Sequence, residues 1–188
     1  MLPYGRSLSS TVEAGLPVIF HHGRGAEARA FNTIIMQNLL FICLGNICRS
    51  PAAHAVMQRF VDDAGLTSQY FIDSAGMGGW HVGQLPDKRM RQHGLRRGYH
   101  IDHIARQFDA AADFRRFDRI IVMDEDNYRA VTALAPSPEA RAKVLRMADY
   151  FTAHPGAASV PDPYYGGPED FELALDLVED GCRGLLSE

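Results

Sequence analysis

From Leu39 to Ile42 the chain reads Leu-Leu-Phe-Ile, with no polar residue to mark a solvent face, and Cys43 ends the run. Such a continuous apolar segment of strand length fits a strand covered on both faces, the usual fate of a strand in a parallel sheet flanked by helices. Ser50-Pro51 then opens a helix, with serine suited to the cap and proline to the first turn. The pattern repeats along the chain. Strands are expected at 38–43, 70–74, 119–123 and 143–147, and helices at 52–63, 87–97, from about 125 through Leu134, and at 169–186. The first helix should turn Ala52, Ala55, Val56 and Phe60 inward, with Ala53 beside them. The last carries a stripe of Phe171, Ala174, Leu175, Val178, Cys182 and Leu185. Strand-helix alternation implies an α/β three-layer sandwich of Rossmann-like type. A four-stranded parallel sheet would lie between helices, with right-handed crossovers and a ligand site at the carboxyl ends of the strands. Cys43 sits at such an end.

Residues 1–37 stand apart. They are rich in Gly, Ser and Ala and sustain neither periodicity, so they read as an N-terminal extension, either flexible or the product of a start site upstream of Met36. The remainder, 38–188, reads as one domain. Lys and Arg number 19 against 23 Asp and Glu, and no basic run suggests a nucleic-acid partner. The charge is uneven: 87–119 is predominantly basic and 162–188 predominantly acidic, so an anionic ligand is expected nearer the former. Three cysteines make no disulfide framework and suit a reducing compartment. No apolar stretch approaches the roughly 20 residues of a membrane span, and no signal-peptide pattern opens the chain. The expected location is the cytoplasm.

Between Cys43 and Arg49 lie Leu44, Gly45, Asn46, Ile47 and Cys48. Gly and Asn tolerate left-handed backbone angles, so this loop can curl its N–H groups inward. At a helix N-terminus those groups form a cradle for a tetrahedral oxyanion, and the Arg49 guanidinium can complete it bidentately. The same positive field favours the thiolate of a cysteine facing it. The segment therefore reads as an anion cradle with a nucleophile at its floor. It is not a Walker loop, which requires Gly-Lys-Ser/Thr. A buried core thiol is the commonest fate of a cysteine, and Cys-x5-Arg alone is weak; the whole run Cys-x-Gly-Asn-x-Cys-Arg-Ser-Pro between strand and helix is specific.

That run, "CLGNICRSP", resembles the active-site loop of low-molecular-weight protein tyrosine phosphatases. The likeness extends through "DSAG" at 73–76, Trp80, "HGLRRGYHIDHIARQ" at 93–107, "FDRIIVMDEDN" at 117–127 and "VPDPYYG" at 160–166. Met77 departs from the threonine usual in the family after Ser-Ala-Gly, which is expected to alter the wall of the loop.

The resemblance implies phosphotyrosine hydrolysis through a cysteinyl-phosphate. Cys43 would attack phosphorus, Arg49 would hold the equatorial oxygens, and Ser50 would donate to the thiolate, or else serve only as a helix cap. Asn46 and Ser74 would brace the loop, with His103 supporting Asn46. Asp162, stiffened between two prolines, would protonate the phenolic leaving group and then accept a proton from the attacking water. Trp80 and Tyr164, with Tyr165 as a further neighbour, would flank the substrate ring, and Leu44 and Ile47 would lie between them. Cys48 could trap an oxidised Cys43 or merely pack. No cofactor is implied, and no metal either, since Cys43 and Cys48 lack a second Cys/His pair at ligand spacing. The expected partner is a phosphotyrosine protein, such as a tyrosine kinase, and the enzyme itself would be a monomer or weak dimer. Rival readings are a thioredoxin-coupled arsenate reductase of the same fold, an arginine-phosphate phosphatase and a non-catalytic phosphate-binding module. The first lacks its extra thiols here, since no cysteine lies between Cys48 and Cys182. The last is disfavoured because Asp162 is present.

Overall fold

The computed structural model describes residues 36–188. The N-terminal extension expected for 1–37 falls almost wholly outside the described residues.

Four strands form one parallel sheet: β1 Gln37–Cys43, β2 Tyr70–Gly76, β3 Arg119–Val122 and β4 Val144–Arg146, in the order β2-β1-β3-β4. Six helices accompany them: α1 Arg49–Asp63, α2 Lys88–Arg96, α3 Ala110–Arg116, α4 Glu125–Ala133, α5 Pro138–Ala142 and α6 Pro168–Leu186. The chain leaves β1 for β2 on one side and later returns to place β3 on the other. The carboxyl end of β1 is thus the switch point where parallel α/β sheets open a crevice.

The unbroken apolar run of β1 is explained by its two partners. Leu39, Phe41 and Cys43 pack with Ala52, Ala53, Val56 and Met57 of α1 and with Phe171, Leu175, Val178 and Cys182 of α6. Leu40 and Ile42 point the other way, into a second cluster with Phe114 of α3, Val131 of α4 and Ala140 of α5. Alternation along the strand hands one residue to each layer. Cys43, last in the series, falls on the α1 side, and the loop it enters leads straight into that helix.

Several local expectations need correction. In α1 the fully buried positions include Met57 and Val61, while Ala55 and Phe60 are only half-buried at the cluster's margin. The α1 helix begins at Arg49 with Cys48 at the cap position and no side-chain cap, so Ser50 is not a cap. Helices α3 and α5 were not anticipated. They are short, yet each is capped from the sequence: Asp109 accepts from the N–H groups of Ala111 and Ala112, and Ser137 accepts from that of Ala140. The two charge-rich stretches meet in part. Arg97 pairs with Glu172, Asp176 and Glu179, Arg96 with Glu172, and His93 with Glu172, joining α2 to α6. These arginines serve to pack two helices rather than to attract a ligand.

Candidate active site

Register places Cys43 beside Gly76, and the two strand ends hold the loop between them. The Met77 N–H donates to the Cys43 carbonyl at 3.0 Å and the Gly78 N–H to Leu44 at 2.8 Å, which fixes the loop's outgoing limb. Asn46 alone in the loop takes a left-handed conformation, with φ of 56°. That turn is secured on every side of its amide. Nδ2 donates to Ser50 Oγ and to Ser74 Oγ, both at 2.9 Å, and Oδ1 accepts from the Arg106 backbone N–H at 2.9 Å. Because Asn46 is fully buried, these bonds satisfy an amide that would otherwise destabilise the core. Gly76 lies directly beneath: a Cβ there would approach the Asn46 nitrogen and the Gly45 carbonyl carbon to 2.9 Å. Only glycine lets the strand pass under the loop.

His103 reaches this brace at one remove. Its Nε2 lies 3.0 Å from the Ser74 carbonyl, so it steadies Asn46 through Ser74 and not by direct contact.

Cys43 Sγ is 3.0 Å from Ser50 Oγ. The serine hydroxyl also points at the Ala75 carbonyl, 3.2 Å away, and accepts from Asn46. With one proton to give, it would donate to the sulfur whenever Cys43 is a thiolate, in preference to the neutral carbonyl.

Arg49 is buried and its guanidinium is largely committed. Nη1 donates to Asp124 Oδ2 at 2.5 Å and to the Val160 carbonyl at 3.2 Å, and Nη2 donates to Asp162 Oδ2 at 2.8 Å. Burial disfavours this cation, but the Cys43 sulfur, Asp162 and Asp124 outweigh it and raise its pKa above the ordinary arginine value. Two of its five N–H groups are left: the second one on Nη2, and that of Nε, which is buried without a partner among the described residues. Sequence reasoning missed Asp124. It follows β3 just as the loop follows β1, and its other oxygen accepts from the Asn127 N–H at 2.7 Å to cap α4. Its place beyond the carboxyl end of the neighbouring strand was the available signal.

These groups floor a cleft of about 390 Å³ lined by Cys43, Arg49, Asp162, Trp80, Tyr164 and Tyr165, together with Leu44, Ile47 and Cys48. All the catalytic and wall residues expected from the sequence therefore converge. His81, also in the lining, was not anticipated; it packs against Gly45, where a Cβ would meet its ring at 3.2 Å. The rim is aromatic and open, with Trp80 69% and Tyr165 97% exposed and the two tyrosine rings set edge-on at 4.9 Å. Arg89 joins α2 to this rim by donating to the Tyr164 carbonyl at 2.9 Å. Met77 does not join the lining; it packs against the second core cluster instead. Cys48 is buried beside Asp87, and burial first, then that carboxylate, pushes its thiol pKa up.

Residues 38–188 match the family model described as low molecular weight phosphotyrosine protein phosphatase. The chain belongs to this family. A relative from Synechocystis sp. is 49% identical over 151 residues, covering 80% of this chain and 95% of its own. The low molecular weight protein-tyrosine-phosphatase of Streptomyces coelicolor is 45% identical over 148 residues, covering 78% of this chain and 90% of its own. Among solved structures, a protein tyrosine phosphatase from Entamoeba histolytica with Hepes in its active site superposes with a TM-score of 0.77 at 44% identity, covering 80% of this chain and 95% of that one. As a low molecular weight phosphatase the protein hydrolyses phosphotyrosine in proteins. The chemistry that must be placed on the cleft is therefore attack at phosphorus, charge stabilisation on three oxygens and protonation of a phenolate.

Proposed function

We propose that residues 38–188 form the catalytic domain and that the cleft works by double displacement through Cys43. The observation that carries this reading is the unpartnered Arg49 Nε–H, buried in a site whose floor is the Cys43 sulfur. A buried charged donor without a partner is costly, and a phosphoryl oxygen would satisfy it. A dianion seated on Nε would also compete with Asp162 for Nη2. The displaced carboxyl, in its acid form, would stand ready to deliver a proton to the leaving phenolate, whose conjugate acid has a pKa of about 10.

In this scheme the Cys43 thiolate attacks phosphorus, the S–P bond forms as the P–O bond breaks, and Asp162 protonates the departing oxygen. The loop N–H groups and Arg49 hold the equatorial oxygens through both transfers. In the second step Asp162 accepts a proton from water, water oxygen bonds to phosphorus, and the Cys43 sulfur leaves as thiolate stabilised by Ser50. Trp80, Tyr164 and Tyr165 receive the substrate ring. Three free cysteines support a reducing, cytoplasmic setting, and the open rim suits a phosphotyrosine displayed on a protein surface, such as that of a tyrosine kinase. Rapid acid quench during turnover of an aryl phosphate, followed by peptide mass analysis, tests the scheme. A phosphate adduct on Cys43 is expected, and its absence under burst conditions, or its appearance on another residue, overturns the assignment.

A further inference from the structure

Behind the loop, three potential metal ligands from three elements converge. His54 lies on α1, one turn past Ser50; Asp73 lies on β2 just before Ser74; His103 lies in the segment between α2 and α3. One nitrogen from each imidazole and one Asp73 oxygen all fall within 4.8 Å of one another. His103 Nε2 is 3.6 Å from Asp73 Oδ1, and the two imidazoles lie 5.0 Å apart, tilted by 53°. His54 Nδ1 is buried and has no hydrogen-bond partner among the described residues. Both histidines line a second cleft of about 360 Å³ that shares no lining residue with the catalytic one.

We propose that His54, Asp73 and His103 bind a divalent transition-metal cation, with Zn²⁺ the best match to two imidazoles and a carboxylate. Zinc bonds of about 2.0–2.2 Å set tetrahedral ligand atoms about 3.3 Å apart, so the His103–Asp73 edge is already near that length. The other edges need to contract by at most about 1.5 Å, within reach of small side-chain rotations. Mg²⁺ and Ca²⁺ prefer all-oxygen shells and are poor candidates. The second cleft leaves the fourth position open to water. Arg106 engages the far oxygen of Asp73, Oδ2, while Oδ1, which accepts from the Ser74 N–H at 2.8 Å, faces His103 and has a lone pair to offer. Binding through His103 Nε2 would exchange its hydrogen bond to the Ser74 carbonyl for the metal, with the ring proton relocated to Nδ1. Since Ser74 Oγ accepts from Asn46, occupancy would act on the brace of the catalytic loop.

The test is calorimetric titration with Zn²⁺ of the full chain carrying Cys43→Ser, Cys48→Ser, His21→Ala and His22→Ala. These changes remove the thiols of the catalytic loop and the adjacent histidine pair near the N-terminus as competing ligands. One saturable equivalent is expected, and a Co²⁺ derivative should show the intense visible absorption of tetrahedral coordination. Adding His54→Gln should weaken binding by about tenfold or more, because even outer-sphere partners of a metal ligand are worth 10–100-fold. His54 Nδ1 makes no bond among the described residues, so the His54→Gln protein should remain folded by circular dichroism. His103→Gln provides an independent second reading. No saturable binding, or Zn²⁺ affinity unchanged in both histidine variants, overturns the proposal and leaves the cluster as packing.

Discussion

Arg49 Nη2 donates to Asp162 Oδ2 at 2.8 Å, so the residue proposed to clamp phosphate holds the residue proposed to supply the proton. In the proposed scheme, a bound phosphoryl group competes with the acid for this arginine. Asp162→Asn should therefore leave aryl phosphate binding measurable while turnover falls unevenly. Substrates with basic leaving groups should slow by about 10²–10⁴-fold. Nitrophenyl phosphate, whose leaving group needs little protonation, should slow far less. Equal losses across a leaving-group series would assign the proton donor to another residue.

Ser50 Oγ offers its single proton to Cys43 Sγ at 3.0 Å or to the Ala75 carbonyl at 3.2 Å. The thiolate benefits most when it is the leaving group, in the second step. Ser50→Ala should slow hydrolysis of the cysteinyl-phosphate by about 10–100-fold, the equivalent of one hydrogen bond to a charged group at about 1.5–3 kcal/mol. Pre-steady-state traces should then show a burst, with phospho-Cys43 accumulating on quench. A variant limited by the first step, with no burst, would reduce Ser50 to a brace for Asn46.

Ile47 lines the catalytic cleft and is almost wholly buried. A threonine at this position could contact a guanidinium with its bound water through its hydroxyl. An apolar, β-branched wall favours an aromatic ring. Phosphotyrosine should be preferred over phosphoarginine by at least about tenfold in kcat/KM, or about 1.4 kcal/mol of transition-state binding. Paired peptides that differ only in the phosphorylated residue give the comparison directly.

Cys43 and Cys48 both line the cleft, five residues apart in one tight loop. The thiolate at Cys43 is the form peroxide oxidises, and a neighbouring thiol can condense with the resulting sulfenic acid, releasing water. Mild peroxide should inactivate the enzyme, phosphate should protect it, and a dithiol should restore most activity. In Cys48→Ser basal turnover should persist while recovery fails and sulfinic or sulfonic acid appears on Cys43. Full recovery of that variant, or an intact mass with no loss of two hydrogens in the parent, would make Cys48 a packing residue.

Asp180, buried on α6, accepts from the backbone N–H groups of Thr152, Ala153 and His154, from the Thr152 hydroxyl and from the His154 ring. Burial acts against its charge, but the Ala153 and Thr152 backbone bonds and the His154 contact prevail and hold its pKa well below the carboxylate range. A depressed carboxylate contributes stability above its unfolded pKa, near about 3.9, and loses it as pH falls toward the folded value. Asp180→Asn should lower stability at neutral pH by at least about 1.5–3 kcal/mol, the worth of one charged hydrogen bond. The difference in Tm between parent and variant should shrink below about pH 4. A constant difference at every pH would remove the charge from the account.

The sheet was legible because burial on both faces leaves an unmistakable apolar run, as in β1. The catalytic cradle was legible because all its parts lie within nine residues, 43–51. What escaped was long-range pairing. Asp124 and Arg49 meet across 75 positions, and Arg106 reaches Asn46 across 60; neither leaves a periodic trace. His103 was named as an indirect support of Asn46 from the resemblance, but the intermediary, the Ser74 carbonyl, was not, because nothing local shows which polar group of the brace a distant ring will meet. Ser50 read two ways, as a donor to Cys43 or as a cap, because serine before proline at a helix start usually is one; the helix start at Arg49 and the 3.0 Å approach of Oγ to the sulfur separate the two.

Asp124 uses one oxygen to cap α4 and the other to grip Arg49. Substitutions that remove both oxygens fray the helix that begins there as they free the arginine, whereas Asn could keep the cap and lose only the charge. For a lineage drifting under mutation, a fold-stability filter thus guards a hydrogen-bond acceptor at this position even in periods when catalysis is not under selection, and leaves its charge to selection on activity.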